Sequence, residues 1–553
     1  MTMMTGKEAL LELLSRKGVE YVFGIPGATE VMFMDALEKH LEMKYILGLH
    51  EVVVAGMAEG YARMSGKPGF LNLHTGTGLG AAIPMLLNAR AGGVPLVVTA
   101  GQQDKRLLLK DPHLAGDLVA TAGLFAKWSA EVVYAEEIPV VMQRAFKMAL
   151  QPPAGPVFIS LPQNIMSQNI DFEYIADKTP LMALRPDREA IDQAVNLLIN
   201  PAAPVILVES GVARDGALAL VVKLAEIIGA RVYQPWMADI NFPVQHPQYM
   251  GDANYSSPEI RETLESADVV MLIGCPQFST PSYQPVPIIP KRTKIIQIDD
   301  NPWEIAKNFP VTVGIQGNVK TSLGELISVL ERKIPDEAGA AVRTRAREIA
   351  REKEARTKTL LEQDEAEKDN VPVSVSRLMR ELRDAIKPGT VIVDDCWSSS
   401  ETLRRILNLA EPGSYHRARR GGSIGWGLPG ALGIKLAAPG RPVVAVSGDG
   451  SAMWSIQSLW TAAHYRIPVT FIVTANAAYR QVKIMRQMLL GGELNGKHAG
   501  MDLDDPVIDL CQLAESMGVH GDRVERPDEL GGTLRAAFDS NEPCLVEVRV
   551  ENK

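Results

Sequence analysis

Residues 441–451 read Arg-Pro-Val-Val-Ala-Val-Ser-Gly-Asp-Gly-Ser, and this stretch decides the fold of the last third of the chain. A short valine-rich run is typical of a strand that is buried on both faces of a parallel sheet. Residues 453–465 follow with a helical pattern. A strand that ends in small residues before a helix gathers free backbone N–H groups and the positive end of the helix dipole. This turn therefore suits a phosphate group.

The carboxylate in this turn indicates a metal ion. Asp449 would repel a phosphate unless a cation lies between them, and aspartate together with diphosphate oxygens is a typical magnesium arrangement. A second predicted strand, residues 468–473, is followed by Asn476, whose side-chain oxygen is another suitable ligand. A Gly-Asp-Gly turn alone is more often only a turn. The asparagine after the neighbouring strand favours a metal and diphosphate site.

Similar apolar runs occur along the whole chain and alternate with helical patterns. The clearest are residues 205–208, 269–273, 295–298, 391–393, 443–446 and 469–473. This alternation is typical of α/β folds, in which helices cover both faces of each sheet. We therefore predict an α/β chain with several doubly wound, mainly parallel sheets.

Two polar stretches divide the chain into three units. The first lies near residues 170–190, and the second, residues 333–372, is dense in arginine, glutamate, lysine and alanine. The second stretch predicts a solvated linker helix. The predicted domains and linker are residues 1–175, 185–335, 336–370 (linker) and 371–553.

Composition excludes several classes of protein. The 553 residues carry a formal net charge of −9, which argues against a general nucleic-acid binder. No stretch reaches the roughly 18 apolar residues that a membrane-spanning helix needs. Residues 1–17 predict an amphipathic helix rather than a signal peptide. We expect a cytoplasmic protein with neither nucleic acid nor membrane as a partner.

The cysteines do not indicate a metal site or a disulfide framework. Cys275, Cys396, Cys511 and Cys544 are widely separated, and none forms a Cys-x-x-Cys pair. This pattern is typical of a protein in a reducing compartment.

Gly448-Asp449-Gly450-Ser451 followed by Asn476 resembles the cofactor motif of thiamine-diphosphate-dependent enzymes, which ends in paired asparagines. The first of that pair is Ala475 here, a departure that we expect to weaken local loop bonding rather than metal binding. The resemblance implies that Mg²⁺ is held by Asp449, Asn476 and the backbone carbonyl of Ala478, and that Gly450 and Ser451 contact the diphosphate.

The first third of the chain resembles the pyrimidine-binding domain of the same family. Residues 23–28 (Phe-Gly-Ile-Pro-Gly-Ala) precede Glu51, and residues 71–76 (Leu-Asn-Leu-His-Thr-Gly) follow it, in the family's order. In isolation, Glu51 at a predicted helix start would only complement the helix dipole. The resemblance implies that it is the catalytic glutamate, which bonds to the pyrimidine ring and promotes removal of the thiazolium proton.

Further cofactor contacts follow from the resemblance. Gly422-Ser423-Ile424-Gly425 matches the segment whose apolar residue holds the cofactor in a bent shape, so Ile424 would be that wedge. The carbonyl of Gly422 would accept from the pyrimidine amino group. Ile424 could equally be a core residue after a glycine turn. Ser398, after a predicted strand, and Pro26 are the remaining expected cofactor contacts.

The resemblance is closest to benzoylformate decarboxylase and related acetolactate synthase-like enzymes, and it spans essentially the full chain. Residues 99–103 (Thr-Ala-Gly-Gln-Gln) and 459–463 (Leu-Trp-Thr-Ala-Ala) carry it most specifically. His74 falls on an active-site histidine of those decarboxylases, which implies proton transfer during the reaction. The alternative is a histidine at a strand end that bonds only to backbone.

Two departures concern the substrate pocket. Ala28 stands where those decarboxylases have a serine that binds the substrate carboxylate, and their second histidine falls near Pro281, where the sequence has none. We therefore expect benzoylformate itself to be a poor substrate. Gln481, which could bond to a polar substrate, and Met485 are the other predicted pocket residues.

Three basic residues lie in or beside this pocket segment. Arg480, Lys483 and Arg486 form either a solvated helix face, the reading that we favour, or a group that attracts an anionic 2-oxo acid.

Three functions stay open. The first is non-oxidative decarboxylation of a 2-oxo acid to an aldehyde. The second is a carboligase of the acetolactate synthase type, which joins the decarboxylated fragment to a second carbonyl and is favoured by the missing histidine. The third is a non-catalytic cofactor-binding protein, against which Glu51 argues.

The resemblance also bears on assembly and on other cofactors. It implies a homo-oligomer, a dimer at least and commonly a tetramer, with each active site between two chains. Some family members bind FAD in the central domain. Residues 211–216 are a poor dinucleotide fingerprint, so we predict no FAD here. The cofactors that the resemblance implies are thiamine diphosphate and Mg²⁺.

Overall fold

The structure, a computed structural model of the chain, describes residues 2–174, 183–235, 237–254, 257–275, 287–335, 337–418 and 421–551. The segment 278–283, on which the family's second histidine falls, lies outside the described residues.

The first unit carries a six-stranded parallel sheet between two layers of helices. Its strands are β1 (Thr2–Thr5), β2 (Tyr21–Gly24), β3 (Lys44–Leu47), β4 (Gly69–Leu73), β5 (Leu96–Gln102), β6 (Ser129–Glu131), β7 (Pro156–Pro162) and β8 (Asn169–Phe172). Its α-helices are α1 (Gly6–Arg16), α2 (Val31–Leu37), α3 (Glu51–Ser65), α4 (Thr75–Gly92), α5 (Leu118–Ala122), α6 (Ile138–Leu150) and α7 (Gln163–Met166). The sheet order is β3-β2-β4-β5-β7-β6.

The N-terminus corrects one expectation. Residues 2–5 are not helical, because β1 pairs antiparallel with β8 in a separate ribbon. The helix begins at Gly6, where the carboxylate of Glu8 accepts from the backbone N–H of Thr5 at 2.9 Å. This bond from the backbone N–H of Thr5 to the Glu8 carboxylate is a capping interaction that fixes the helix start.

The central unit is a second six-stranded parallel sheet. Its strands are β9 (Pro204–Val208), β10 (Arg231–Pro235), β11 (Tyr249–Ala253), β12 (Val269–Ile273), β13 (Lys294–Asp299) and β14 (Val313–Gln316). Its helices are α8 (Arg188–Leu198), α9 (Ser210–Arg214), α10 (Leu218–Ile228), α11 (Pro258–Ser266) and α12 (Val319–Lys333). The order β11-β10-β9-β12-β13-β14 is that of a doubly wound fold.

A long helix, α13 (Ala338–Ala366), connects the central unit to the last. It is less solvated than the sequence predicts, because one face contacts the central unit. Lys353 donates to the carbonyl of Val244 at 2.6 Å, and Arg356 donates to that of Met250 at 3.0 Å. The exact domain boundaries stay predictions.

The last unit is the third doubly wound sheet. Its strands are β15 (Val391–Asp395), β16 (Tyr415–Arg417), β17 (Val443–Gly448), β18 (Thr470–Ala475), β19 (His520–Val524) and β20 (Cys544–Arg549). Its helices are α14 (Val375–Ala385), α15 (Ser400–Leu407), α16 (Gly427–Ala437), α17 (Asp449–Ala452), α18 (Ser458–Tyr465), α19 (Arg480–Leu490), α20 (Leu510–Ser516) and α21 (Leu530–Asp539). The order is β16-β15-β17-β18-β20-β19, all parallel.

The helix predicted over residues 453–465 is wrong in its first half. The chain after α17 makes tight turns, in which Trp454 donates to the carbonyl of Ser451 at 3.1 Å and Ser458 to that of Ser455 at 2.9 Å. Regular helix begins only at Ser458.

The first and last units pack directly on each other through α3 and α16. A side chain at Gly433 would lie 1.9 Å from the carbonyl oxygen of Met57, and one at Gly60 would lie 2.2 Å from that of Gly430. Glycine at these crossings lets the two backbones touch. The three parallel sheets confirm the predicted fold class. Within the described ranges, no helix has the length and apolar character needed to span a bilayer.

Candidate active site

Backbone strain marks the carboxyl edges of the first and last sheets. Thr75, Trp397 and Ala477 have φ angles of 43°, 39° and 54°, in the left-handed region that side chains disfavour. Each lies two residues beyond a strand, at the ends of β4, β15 and β18. Such residues cost about 1–3 kcal/mol each and cluster at functional sites. Three of the nine positive-φ residues other than glycine that the structure describes therefore lie beside the sequence motifs.

The carboxylate of Asp449 is buried at the start of α17. Its Oδ1 accepts from the N–H of Gly450 at 2.8 Å, and its Oδ2 accepts from the N–H of Ala477 at 2.6 Å. Burial raises the pKa of Asp449 to about 6, and the backbone N–H donors oppose this rise. Near pH 7 the group is an ionised, largely dehydrated carboxylate, which favours a bound cation.

Asn476 lies beside Asp449 because β17 and β18 are neighbours in register, with Gly448 opposite Thr474. Its Oδ1 accepts from the N–H of Ala478 at 3.0 Å. Ala478 in turn forms an antiparallel bridge with Asp502, which anchors the loop. The structure thus brings together the predicted metal ligands Asp449, Asn476 and Ala478.

Asp395, at the end of β15, is a buried carboxylate to which the sequence analysis gave no role. Its Oδ2 accepts from the hydroxyl of Ser451 at 2.6 Å and from the N–H groups of Gly425 and Gly427, both at 3.0 Å. Burial raises its pKa to about 6. Asp395 therefore links the Ser451 turn to the Gly425 turn. In the sequence, the signal for this role was its position at the end of an apolar strand.

This network changes what Ser451 can offer. Its hydroxyl donates to Asp395 and accepts from the N–H of Gly425 at 2.9 Å. The group left for an anion is its backbone N–H, one of those that a helix start leaves unpaired. Gly450 lies against the ring of Tyr479, and a side chain there would come within 2.6 Å of that ring.

The turn at Gly422–Gly425 is held from the first unit. Asn88 of α4 donates to the carbonyl of Ser423 and accepts from its N–H, both at 3.1 Å. Gly422 and Gly425 have φ angles of 77° and 84°, which favour glycine. Ile424 is only partly buried, so it is not an ordinary core residue.

Glu51 is the first residue of α3, as predicted. A side chain at Gly78 of α4 would lie 3.0 Å from Glu51 Oε1, so the absence of a side chain there makes room for the carboxylate. Val52, Val53 and Val54 are buried, whereas Glu51 itself stays partly exposed.

His74 precedes α4 and is fixed by a second carboxylate that the sequence analysis missed. Its Nδ1 lies 2.8 Å from Oε2 of Glu30, which is almost wholly buried. Glu30 also accepts from the N–H groups of Gly27 and Gly101, at 3.0 and 2.8 Å. Thr29 Oγ1 lies 3.2 Å from the same Nδ1. A side chain at Gly27 would come within 2.0 Å of the His74 ring, so this glycine is required by close approach.

Two other predicted residues, Pro26 and Ala28, are exposed on the loop that precedes Glu30. The sequence signal for the role of Glu30 was that it follows shortly after the Pro26-Gly27-Ala28 segment.

The α19 segment corrects the expectation of a solvated basic face. Lys483 is buried, and it donates to Asp502 Oδ1 at 2.5 Å and to the carbonyl of Gly496 at 3.2 Å. Arg480 lines a cavity of about 190 Å³ together with Ser398 and Asn476. Gln481 and Met485 are partly buried, and Arg486 is as well.

The structure gathers the predicted residues into two groups. Glu51, His74, Pro26 and Ala28 lie in the first unit, where Glu51 and His74 contact α4 and the Glu30 loop. The other group lies in the last unit. Gln481 and Met485 are on α19, and the rest follow the carboxyl ends of its strands: Ser398, Gly422, Ile424, Asp449, Gly450, Ser451, Asn476 and Ala478.

Three family models match consecutive parts of the chain. They are described as thiamine pyrophosphate enzyme domains: the N-terminal TPP binding domain at residues 4–118, the central domain at 191–326 and the C-terminal TPP binding domain at 398–548. The chain belongs to the thiamine pyrophosphate enzyme family. This confirms the resemblance, and the two TPP binding domains contain the two residue groups.

Similar proteins of this family cover the whole chain. A benzoylformate decarboxylase of Pseudomonas aeruginosa is 31% identical over 551 residues, 99% of each chain. A probable acetolactate synthase large subunit of Methanocaldococcus jannaschii is 29% identical, over 99% of this chain and 92% of that one. The solved structure of a thiamine diphosphate-dependent 4-hydroxybenzoylformate decarboxylase of Rhodococcus jostii has a TM-score of 0.85 at 28% identity, over 99% of each chain.

This membership makes the chain a thiamine-diphosphate-dependent enzyme of the decarboxylase and acetolactate synthase type. The residues present fit such a cofactor. The buried Asp449 carboxylate and the Asn476 amide are hard oxygen donors, and the backbone N–H of Ser451 lies in the same turn of α17. The Glu51 carboxylate at the start of α3 can bond to a heterocyclic nitrogen.

Proposed function

We propose that this chain decarboxylates a 2-oxo acid non-oxidatively and releases an aldehyde, with thiamine diphosphate and Mg²⁺ as cofactors. The observation that carries the proposal is the His74–Glu30 pair. Glu30 accepts the Nδ1 hydrogen of His74, so Nε2 is left to exchange a proton with substrate. A decarboxylase that releases an aldehyde needs such a proton donor.

The residue roles follow from the two groups. Asp449, Asn476 and the carbonyl of Ala478 hold Mg²⁺, and Gly450 and Ser451 contact the diphosphate, Ser451 through its backbone N–H. The remaining cofactor contacts are Ser398, Gly422, Ile424 and Pro26. When bound, thiamine diphosphate supplies a carbon nucleophile and accepts the electron pair that is released as CO₂ leaves.

Two side chains of the first unit move protons. Glu51 exchanges a proton with the aminopyrimidine ring, which activates the cofactor. His74 would take up a proton at Nε2, which makes the ring an imidazolium, and would deliver that proton to the carbon from which CO₂ has left. The buried Glu30 holds the imidazole in one orientation and accepts from Nδ1 in both protonation states.

The substrate pocket differs from that of an arylglyoxylate decarboxylase. Ala28 offers no hydroxyl to the substrate carboxylate, and Gln481 adds a polar group on α19. Met485 supplies a flexible apolar wall in place of an aromatic one. We therefore expect a small or polar 2-oxo acid to be preferred over benzoylformate.

The assembly that we propose is a homodimer at least, and a tetramer in its usual form. Glu51 of one chain and Asp449 of another would bind opposite ends of one cofactor. A cytoplasmic location is supported by the four cysteines, none of which forms a disulfide among the described residues.

A carboligase of the acetolactate synthase type is the second candidate. The sequence has no histidine over residues 278–283, where the family's decarboxylases have their second imidazole. Slower protonation leaves more time for attack on a second carbonyl, so this absence favours carbon–carbon bond formation.

A panel of 2-oxo acids tests the proposal. Pyruvate, phenylglyoxylate and polar 2-oxo acids are each incubated with protein, thiamine diphosphate and Mg²⁺, with and without an added aldehyde, and Glu51→Gln protein is the control. Free aldehyde and CO₂ support decarboxylation, whereas 2-hydroxy ketones or acetolactate support the carboligase. Cofactor binding without CO₂ release from any acid would contradict both and indicate a non-catalytic protein.

A further inference from the structure

Arg480 is a partly buried cation that the roles above do not use. It is the first residue of α19, and within the described chain its Nη1 is buried without a hydrogen-bond partner. Glu551 lies near enough to attract its guanidinium electrostatically. A buried donor without a partner is unfavourable unless an acceptor completes its contacts. Arg480 therefore points to an anionic ligand.

The cavity beside Arg480 offers neutral polar groups that can bind an anion. Ser398, Asn476 and Thr402 of α15 line it with Arg480. The buried acid in its wall, Asp364, is already matched, because Arg405 binds both of its oxygens at 2.6 and 2.9 Å.

Two other acids border this cavity. Glu551 is held by Asn370 at 3.4 Å, and Glu367 is exposed to solvent. Neither takes the Nη1 donor of Arg480, which stays unpaired among the described residues.

We propose that Arg480 is an additional ligand of the cofactor's diphosphate. The inference rests on the proposed function, in which Ser398 contacts the cofactor's diphosphate and Asn476 binds the metal. A guanidinium presents several N–H donors in one plane, which matches the oxygens of a phosphate group. Arg480 would thus add a direct charged contact to an anion that is otherwise held through Mg²⁺ and backbone N–H groups.

Calorimetric titration of the full-length apoprotein with thiamine diphosphate and Mg²⁺ tests this role without measuring turnover. We expect Arg480→Ala to weaken cofactor binding by about ten- to hundredfold, the usual loss for a hydrogen bond to a charged group. Arg480→Lys keeps the charge but not the planar donors. Its affinity for the cofactor should therefore lie between those of the wild type and Arg480→Ala. Arg486→Ala removes the same charge from the same helix outside this cavity and should leave the affinity unchanged.

Inorganic diphosphate, measured by competition against thiamine diphosphate, identifies the bound group. It should lose affinity by the same factor in Arg480→Ala, because the contact is only to the diphosphate. Inorganic phosphate serves as the second probe, and a loss confined to phosphate would identify a separate anion site and overturn the proposal. The melting temperatures of the apoproteins should agree, which shows that the variants fold alike.

Three other results would contradict the role of Arg480. They are wild-type affinity in Arg480→Ala, equal losses in Arg480→Ala and Arg486→Ala, and a loss for thiamine diphosphate without one for inorganic diphosphate. Failure of the wild-type chain to bind thiamine diphosphate would instead overturn the proposed function. The two failures are therefore distinguishable.

Discussion

The Nδ1 atom of His74 lies 2.8 Å from Oε2 of Glu30, and this contact fixes the imidazole at the start of α4. A carboxylate accepts from an imidazole N–H, so this contact assigns the ring hydrogen to Nδ1 and leaves Nε2 for substrate. Glu30 is buried and also accepts from the N–H groups of Gly27 and of Gly101 in β5, so it acts on the reaction through His74 rather than on substrate.

Replacing Glu30 with glutamine should lower kcat by about 10- to 100-fold, the usual range for a residue that orients a functional histidine. The amide can turn its NH₂ group towards Nδ1 and so favour the wrong tautomer of His74. Steady-state kinetics measures the loss. In a His74→Ala background, Glu30→Gln should change kcat little further, because the two residues act as a unit. Full additivity of the two losses would show that Glu30 only supports the fold.

Glu51→Gln should reduce turnover by about 10²–10⁴-fold, as expected when a positioned proton-transfer group is lost. Calorimetry should show thiamine diphosphate binding close to that of the wild type, because the diphosphate contacts lie in the last domain. Normal turnover in this variant would remove Glu51 from the mechanism.

Ala28→Ser should improve activity on phenylglyoxylate by about tenfold in kcat/KM, the gain expected from one hydrogen bond to a charged group. The new hydroxyl would lie on the exposed loop beside Glu30, where a substrate carboxylate can reach it. Activity on pyruvate is the internal reference. An equal change for both substrates, or none, would show that Ala28 does not face the pocket.

Asp299 predicts a pH dependence of stability that is independent of the active site. It is buried at the end of β13, and burial, together with Asp300, raises its pKa to about 7. The folded state therefore retains a proton between about pH 4 and 7 that the unfolded state releases, so stability falls progressively as the pH rises from about 4 to 7 and levels off above that. The melting temperatures of the wild type and Asp299→Asn are compared at pH 5 and at pH 8. Relative to the variant, the wild type should melt at a higher temperature at pH 5 than at pH 8. A constant difference would contradict this linkage.

The local motifs made most of the fold and much of the site predictable. Valine-rich runs such as 443–446 are strands because both faces of each sheet are covered by helices. Asp449 and Asn476 meet because the carboxyl ends of neighbouring parallel strands share one edge.

The residues that escaped prediction depend on partners distant in the sequence. Asp395 gains its role from Ser451 and Gly425, and Lys483 is buried because Asp502 folds back to meet it. The first strand exists only because residues 169–172 lie beside it. Such pairings are set by tertiary packing, which periodicity and spacing do not encode.

The central claim is that Glu51 of one chain and Asp449 of another bind the same cofactor. Mixing Glu51→Gln and Asp449→Ala chains, each inactive alone, tests it most directly, since a hybrid dimer would contain one site with both residues intact. With tags to prove that hybrids form, we predict recovery of about a quarter of the wild-type activity, from random pairing in a twofold-symmetric dimer. Hybrids that form but stay as inactive as the separate variants would contradict the account.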